Sequence, residues 1–148
     1  MSDKVLVDTN VLVYAYDRSA PVKQKRALEV LDRLVATSLG VLSTQILAEF
    51  FVTVTRKLTE PLPADEAESR VHNLVRAWPV IEVTGMIILE AARGVRAHRF
   101  SYWDAQIWAT AKLNQIPVVL SEDFSDGQST EGIRFMSPFG AKFQLSSV

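Results

Sequence analysis

The feature that most constrains this chain is its first apolar run, Val5-Leu6-Val7, which ends on an acid, Asp8. Three β-branched or aliphatic residues with no polar alternation read as a strand buried on both faces, which is the habit of parallel sheets. In open α/β sheets the ligand crevice lies outside the carboxyl ends of the strands. Asp8 therefore stands where such a fold keeps its chemistry, and the question for the remaining sequence is whether other acids reach the same edge.

The rest of the chain alternates helices with short β-branched strands. Helices are expected over Val11–Tyr16, from Pro21 to about Ser38 with Gly40 ending it, and from Gln45 to about Leu58 capped by Ser43 or Thr44. Others are expected over Ala64–Ala77, from Met86 to about His98 behind a Thr84 cap, and over Tyr102–Leu113. Strands are expected at Val41–Leu42, Val80–Val83, Pro117–Leu120 and Ile133–Met136, leaving the tail from Pro138 unplaced. This pattern predicts an α/β fold, a three-layer α/β/α sandwich around a mostly parallel sheet of about five strands. With 148 residues, 48% of them apolar and 22% charged, a single domain spanning 1–148 is expected.

Composition narrows the chemistry. There is no cysteine, which excludes disulfides and thiolate metal sites. No run has the length of a membrane span, and the opening Met1-Ser2-Asp3-Lys4 lacks the basic region of a secretory signal, so a cytoplasmic protein is expected. A net charge of −1 gives no global positive field, so any nucleic-acid partner needs a local basic patch.

Strand–helix logic brings four acids to one edge. Asp8 follows the first strand, Glu49 lies about a turn into the helix leaving the second, Asp104 opens the helix feeding the fourth, and Asp123 lies just beyond it. Four carboxylates cannot all ionise in a dry pocket without a counter-charge, and hard divalent cations supply one through oxygen ligands. With no cysteine and no histidine pair, Mg²⁺ or Mn²⁺ is the inference, and phosphodiester hydrolysis the usual task of such a site. Each acid also has a purely structural reading. Asp8 caps the helix beginning near Asn10, Ser101–Asp104 has capping-box spacing, and Glu49 sits at the edge of an apolar stripe. Asp123 competes with Glu122 and Asp126 in one loop.

Taken together, Val7-Asp8-Thr9-Asn10-Val11-Leu12, Ala48-Glu49-Phe50, Ser101-Tyr102-Trp103-Asp104-Ala105, Leu120-Ser121-Glu122-Asp123-Phe124 and the closing Gly132–Phe139 run make the chain resemble the PIN-domain ribonucleases. The likeness is strongest to the VapC-type toxins of prokaryotic toxin–antitoxin pairs, and it extends over essentially the full length. The resemblance implies a Mg²⁺- or Mn²⁺-dependent endoribonuclease with Asp8, Glu49, Asp104 and Asp123 as metal ligands and Asp126 as the alternate fourth acid. It makes Asn10 and Ser121 the polar supports of those acids. It further implies products with a 5′-phosphate and a 3′-hydroxyl, a tRNA or other structured RNA as substrate, a homodimer and a neutralising antitoxin. By the same analogy the dimer or antitoxin surface is expected on Val11–Tyr16 and 20–39.

For RNA contacts, Arg93, Arg96, His98 and Arg99 form the most basic run, just before Ser101, with Arg56 and Lys57 second. Tyr14, Tyr16, Tyr102 and Trp103 are candidates for base stacking. Three rivals stand beside this reading. One is an inactive or regulatory member of the same fold, and another a metal-dependent phosphatase or nuclease outside toxin–antitoxin systems. The third, a response-regulator-like module, lacks the paired acids after strand one that it needs.

Overall fold

A computed structural model describes residues 3–148; the Met1-Ser2 part of the expected leaderless opening lies outside the described residues. In chain order the elements are β1 (Val5–Val7), α1 (Thr9–Tyr14), α2 (Pro21–Thr37), β2 (Gly40–Ser43), α3 (Thr44–Arg56), α4 (Ala64–Ala77), β3 (Val80–Ile81), α5 (Gly85–His98), α6 (Tyr102–Leu113), β4 (Val118–Leu120), β5 (Ser129–Thr130) and β6 (Ile133–Met136), followed by a 3₁₀ turn at Leu145–Ser147. The six strands form one sheet in the order β3-β2-β1-β4-β6-β5. All neighbours are parallel except β5, which pairs antiparallel with β6. The sheet is thus mostly parallel and flanked by helices, as expected, with one strand more than the pattern indicated.

β1 lies between β2 and β4, with Val5 opposite both Gly40 and Val118, and all three of its residues are buried. The ladder continues one step beyond β1, where the Asp8 amide donates to the Leu120 carbonyl at 2.9 Å. Asp8 is thereby fixed at the carboxyl end of β1, beside the residue that follows β4. On the far side of β4 the Ser121 amide repeats the step, donating to the Met136 carbonyl at 2.9 Å.

Several boundaries differ from expectation for identifiable reasons. α1 begins at Thr9 rather than Val11, because the Asp8 carboxylate itself caps it. α2 stops at Thr37, where Ser38 takes the left-handed conformation at φ 59°, so Gly40 is not the terminator. Gly40 instead lies in β2 under the Trp78 ring: a Cβ there would stand 2.1 Å from a ring carbon. β3 ends at Ile81, two residues short of Val83, whose amide turns to the Thr44 hydroxyl at 3.2 Å. The tail from Pro138 returns to the body, where the Val148 carbonyl accepts from Arg33 Nε at 2.6 Å.

α6 is the packed helix its nearly uniform apolarity implied, with every residue from Ala105 to Ala111 buried. None of the described helices is long and apolar enough to cross a membrane.

Candidate metal and phosphodiester site

The site is built outward from Asp8, which is only 4% exposed. One carboxylate oxygen accepts from the Thr9 amide at 2.7 Å, and the other accepts from the Ser121 hydroxyl at 2.7 Å. The Asn10 side-chain amide lies 3.4 Å from that second oxygen and donates to Ser121 Oγ and to Asp123 Oδ2, both at 3.1 Å. Ser121 Oγ also accepts the Asp123 amide at 3.0 Å. Asn10 and Ser121 thus join the acid after β1 to the acid after β4.

Glu49 enters from α3. Its Oε2 accepts from the Thr9 hydroxyl at 3.1 Å and its Oε1 from Gln45 Nε2 at 2.9 Å. Gln45 lies one turn earlier on the same helix face. It also donates to the Trp103 carbonyl at 3.1 Å and accepts from Gln106, which in turn accepts from the Tyr102 hydroxyl. This amide relay ties Glu49 to the first turn of α6, the turn that carries Asp104. The Asp104 amide donates to Ser101 Oγ at 3.3 Å, so the helix cap coexists with the site. Thr9, Gln106 and Tyr102 were not singled out from the sequence as supports. An acid in a half-apolar helical field, with an amide four residues earlier, was the available signal.

Two of these acids, Asp8 and Asp104, are shifted, and Asp123 and Glu49 contribute to both shifts. Asp8 is pushed up from the ordinary aspartate value to about 7, chiefly by burial, with the charges of Asp123 and Glu49 adding to it against the hydrogen bonds from Ser121 and Thr9. Asp104 is also raised, again mainly by burial and further by Asp123 and Glu49, while its bond with Ser101 opposes the shift. Such a set of oxygen anions suits a hard divalent cation in donor type and in charge. Among the described residues no three acidic or imidazole groups form a ready-made metal cluster. Asp8, Glu49 and Asp123 are linked through Thr9, Asn10 and Ser121, while Asp104 stands on the Ser101 cap.

Asp126 is elsewhere. Its carboxylate accepts the Ser137 amide at 3.0 Å and packs against Gly140, which ties the loop to the C-terminal tail rather than to the crevice. The basic candidates divide in the same way. Arg93, one of the cations expected to meet RNA, is engaged by Glu90 and by both oxygens of Glu131 at 2.8 Å. Glu90 is its i,i+3 neighbour on α5, while Glu131 is brought beside it only by the fold. Arg96 and Arg99 are exposed at the end of α5, and Arg56 is exposed at the end of α3. Lys57, beside Arg56, lines two clefts that share Glu49, one of about 640 Å³ with Trp103 on its wall and one of about 370 Å³ with Asn10 and Asp123. Trp103 is 62% exposed.

The PIN-domain family model matches residues 5–125 of this chain. No curated protein matches it by sequence. Among solved structures, it is similar to a toxin–antitoxin complex from Klebsiella pneumoniae, at 18% identity and TM-score 0.66 over 92% of this chain and 98% of that one. It is also similar to FitAB bound to an IR36 DNA fragment, at 18% identity and TM-score 0.68 over 94% and 98%. A third likeness is to VapC20 of Mycobacterium tuberculosis, described as a sarcin–ricin loop cleaving toxin, at 18% identity and TM-score 0.60 over 78% and 87%.

Proposed function

This chain belongs to the PIN-domain family, and we propose from that premise that it is a Mg²⁺- or Mn²⁺-dependent endoribonuclease, the toxin of a toxin–antitoxin pair. The observation that carries the reading is the setting of Asp8. It is a buried carboxylate bridged to Asp123 through Ser121 and Asn10, with Thr9 leading to Glu49, and it is raised to about 7. A protein tolerates such a group when a cation or a reacting proton relieves it. Solved neighbours described as a toxin–antitoxin complex and as a sarcin–ricin loop cleaving toxin support the toxin assignment.

Asp8, Glu49, Asp104 and Asp123 would hold the cation, which when bound polarises the phosphate and lowers the pKa of a water. The protein's own part is positional. Ser121 and the Thr9 amide aim the two oxygens of Asp8, and Asn10 holds Asp123 across from it. Thr9 and Gln45 fix the two oxygens of Glu49, so that neither rotates away when substrate arrives. Lys57, Arg56, Arg96 and Arg99 would meet the RNA backbone, and the exposed Trp103 offers a face to an unpaired base. The 1–148 span acts as one nuclease domain of a cytoplasmic protein, pairs as a homodimer, and is silenced by a cognate antitoxin.

The test is cleavage of pooled cellular RNA with Mg²⁺ or Mn²⁺ by the wild type, Asp8→Asn and Asp104→Asn. The wild type should leave 5′-phosphate and 3′-hydroxyl ends, and both variants should leave the RNA intact. Identical products from all three would remove the nuclease reading. A short upstream gene encoding a DNA-binding protein, co-purifying with this chain and suppressing cleavage, would carry the antitoxin assignment.

A further inference from the structure

Two acids, Glu122 and Asp123, follow Ser121 in direct succession, yet their side chains have different partners. Asp123 meets Asn10 beside Asp8. Glu122 accepts from the Tyr14 hydroxyl on α1 at 2.8 Å and from Lys23 Nζ on α2 at 2.8 Å. Lys23 Nζ also lies 3.2 Å from the Tyr14 hydroxyl, 4.7 Å from the centre of the Tyr14 ring and 5.5 Å from that of Phe139. Phe139 packs edge-on against Tyr14 at 4.9 Å, so the tail buttresses the clamp from behind. The Glu122 amide meanwhile points at Asn10 Oδ1, 3.3 Å away.

We infer that Lys23 is a positioning residue that decides which of these two neighbouring acids faces the crevice. By holding the Glu122 carboxylate with Tyr14, it leaves Asp123 as the acid that meets Asn10 and Asp8. The pair is half exposed, with side-chain accessibilities of 41% for Lys23 and 27% for Glu122, so it contributes little to stability and its consequence is geometric. Without the ammonium, Glu122 keeps only the Tyr14 hydroxyl and can turn toward a cation in the crevice. It then competes with Asp123 and disturbs the Asn10 bridge. The inference deepens the nuclease reading and rests on it for its metal and kinetic readouts, but not for its structural one.

The experiment compares wild type, Lys23→Met, Lys23→Arg and the double variant Lys23→Met/Glu122→Gln. The first readout is the side-chain amide resonance of Asn10 in metal-free protein, which reports the bonds to Asp8, Ser121 and Asp123 directly. The second is Mn²⁺ affinity by calorimetry, and the third the division of any cleavage defect between kcat and KM. In Lys23→Met the Asn10 resonance should move, Mn²⁺ should bind at least as tightly because the site becomes more negative, and kcat should nevertheless fall with KM little changed. Lys23→Arg keeps the charge and should stay close to wild type. The double variant should return the Asn10 resonance and kcat most of the way to wild type, because the uncharged amide that replaces the Glu122 carboxylate has no pull toward the cation. An unmoved Asn10 resonance in Lys23→Met, or a double variant no better than the single one, overturns the inference. If the wild type itself neither binds Mn²⁺ nor cuts RNA, the nuclease reading fails, and the clamp is then judged on the Asn10 resonance alone.

Discussion

At the carboxyl ends of β1 and β4 four acids converge, and among the described residues none of them forms an ion pair, whereas at the amino end of β6 one acid, Glu131, gathers three basic side chains. Glu131 accepts from Arg93 at 2.8 Å, from Lys112 at 3.1 Å and from His98, and Glu90 holds Arg93 and Lys112 from the other side. The two regions perturb their carboxylates in opposite directions. Asp8 is raised to about 7 by burial among like charges, while Glu131 is lowered to about 2, first by His98 and then by Arg93. Beneath the basic cluster lies the Trp108 ring, with Arg93 and Lys112 over it and its indole N–H bonded to the Thr130 carbonyl. One region is compensated internally and locks β5 and β6 to α5 and α6. The other has no cationic partner among the described residues, and burial leaves Asp8 raised to about 7.

The largest effect should come from striking the uncompensated side. Asp8→Asn keeps an oxygen for the Thr9 amide, yet should lower RNA cleavage at least about 100-fold, since loss of even an outer support of a metal site costs roughly 10–100-fold. Melting curves on the same samples separate that loss from unfolding.

Next is the pH dependence of the metal-free protein. The folded Asp8 holds a proton that the unfolded chain releases between about pH 4 and 7, so stability falls as pH rises through that window. The penalty should be roughly 2–4 kcal/mol above pH 7. Denaturant titrations in EDTA should show this slope in the wild type and a flatter one in Asp8→Asn. Millimolar Mg²⁺ or Mn²⁺ should restore stability most strongly at the alkaline end.

The compensated side is reached through Gly94. A Cβ there would stand 2.7 Å from Trp108 Cζ3 and 2.9 Å from Cε3. Gly94→Ala should therefore destabilise by about 1–3 kcal/mol through overpacking, while cleavage per folded molecule is retained. Equal loss of activity and stability would show that the two regions are not separable. The smallest effect is expected from Glu131→Gln. It leaves three basic groups short of a partner and should cost about 0.5–1 kcal/mol at neutral pH. Glu131 contributes above the ordinary glutamate range, and its contribution is lost as pH falls toward about 2, opposite in direction to Asp8.

Much of this was legible in the residues. Val5–Val7 announced a central strand, and the Ser43, Thr84 and Ser101 hydroxyls announced helix starts that the structure bears out with side-chain bonds to Ile46, Ile87 and Asp104. The convergence of Asp8, Glu49, Asp104 and Asp123 followed from the alternation of strand and helix. β5 was not legible, because two residues carry no periodicity and it forms only by pairing with β6. Gly40 misled as a helix terminator, since its need for a missing side chain arises from Trp78, 38 residues downstream on another element.

Local sequence was enough to establish that an acid would end a buried strand and that three more would come to the same edge, because hydrophobic period and capping are local and additive. It took the folded chain to choose which of Glu122, Asp123 and Asp126 faces that edge. Their loop carries three acids, and in the fold they meet different partners on separate elements: Glu122 meets Lys23 and Tyr14, Asp123 meets Asn10, and Asp126 meets the Ser137 amide. Arg93 likewise meets Glu131 from a turn 38 residues away. Charges are recruited by whatever folding places beside them, and that placement is not a local property of the chain.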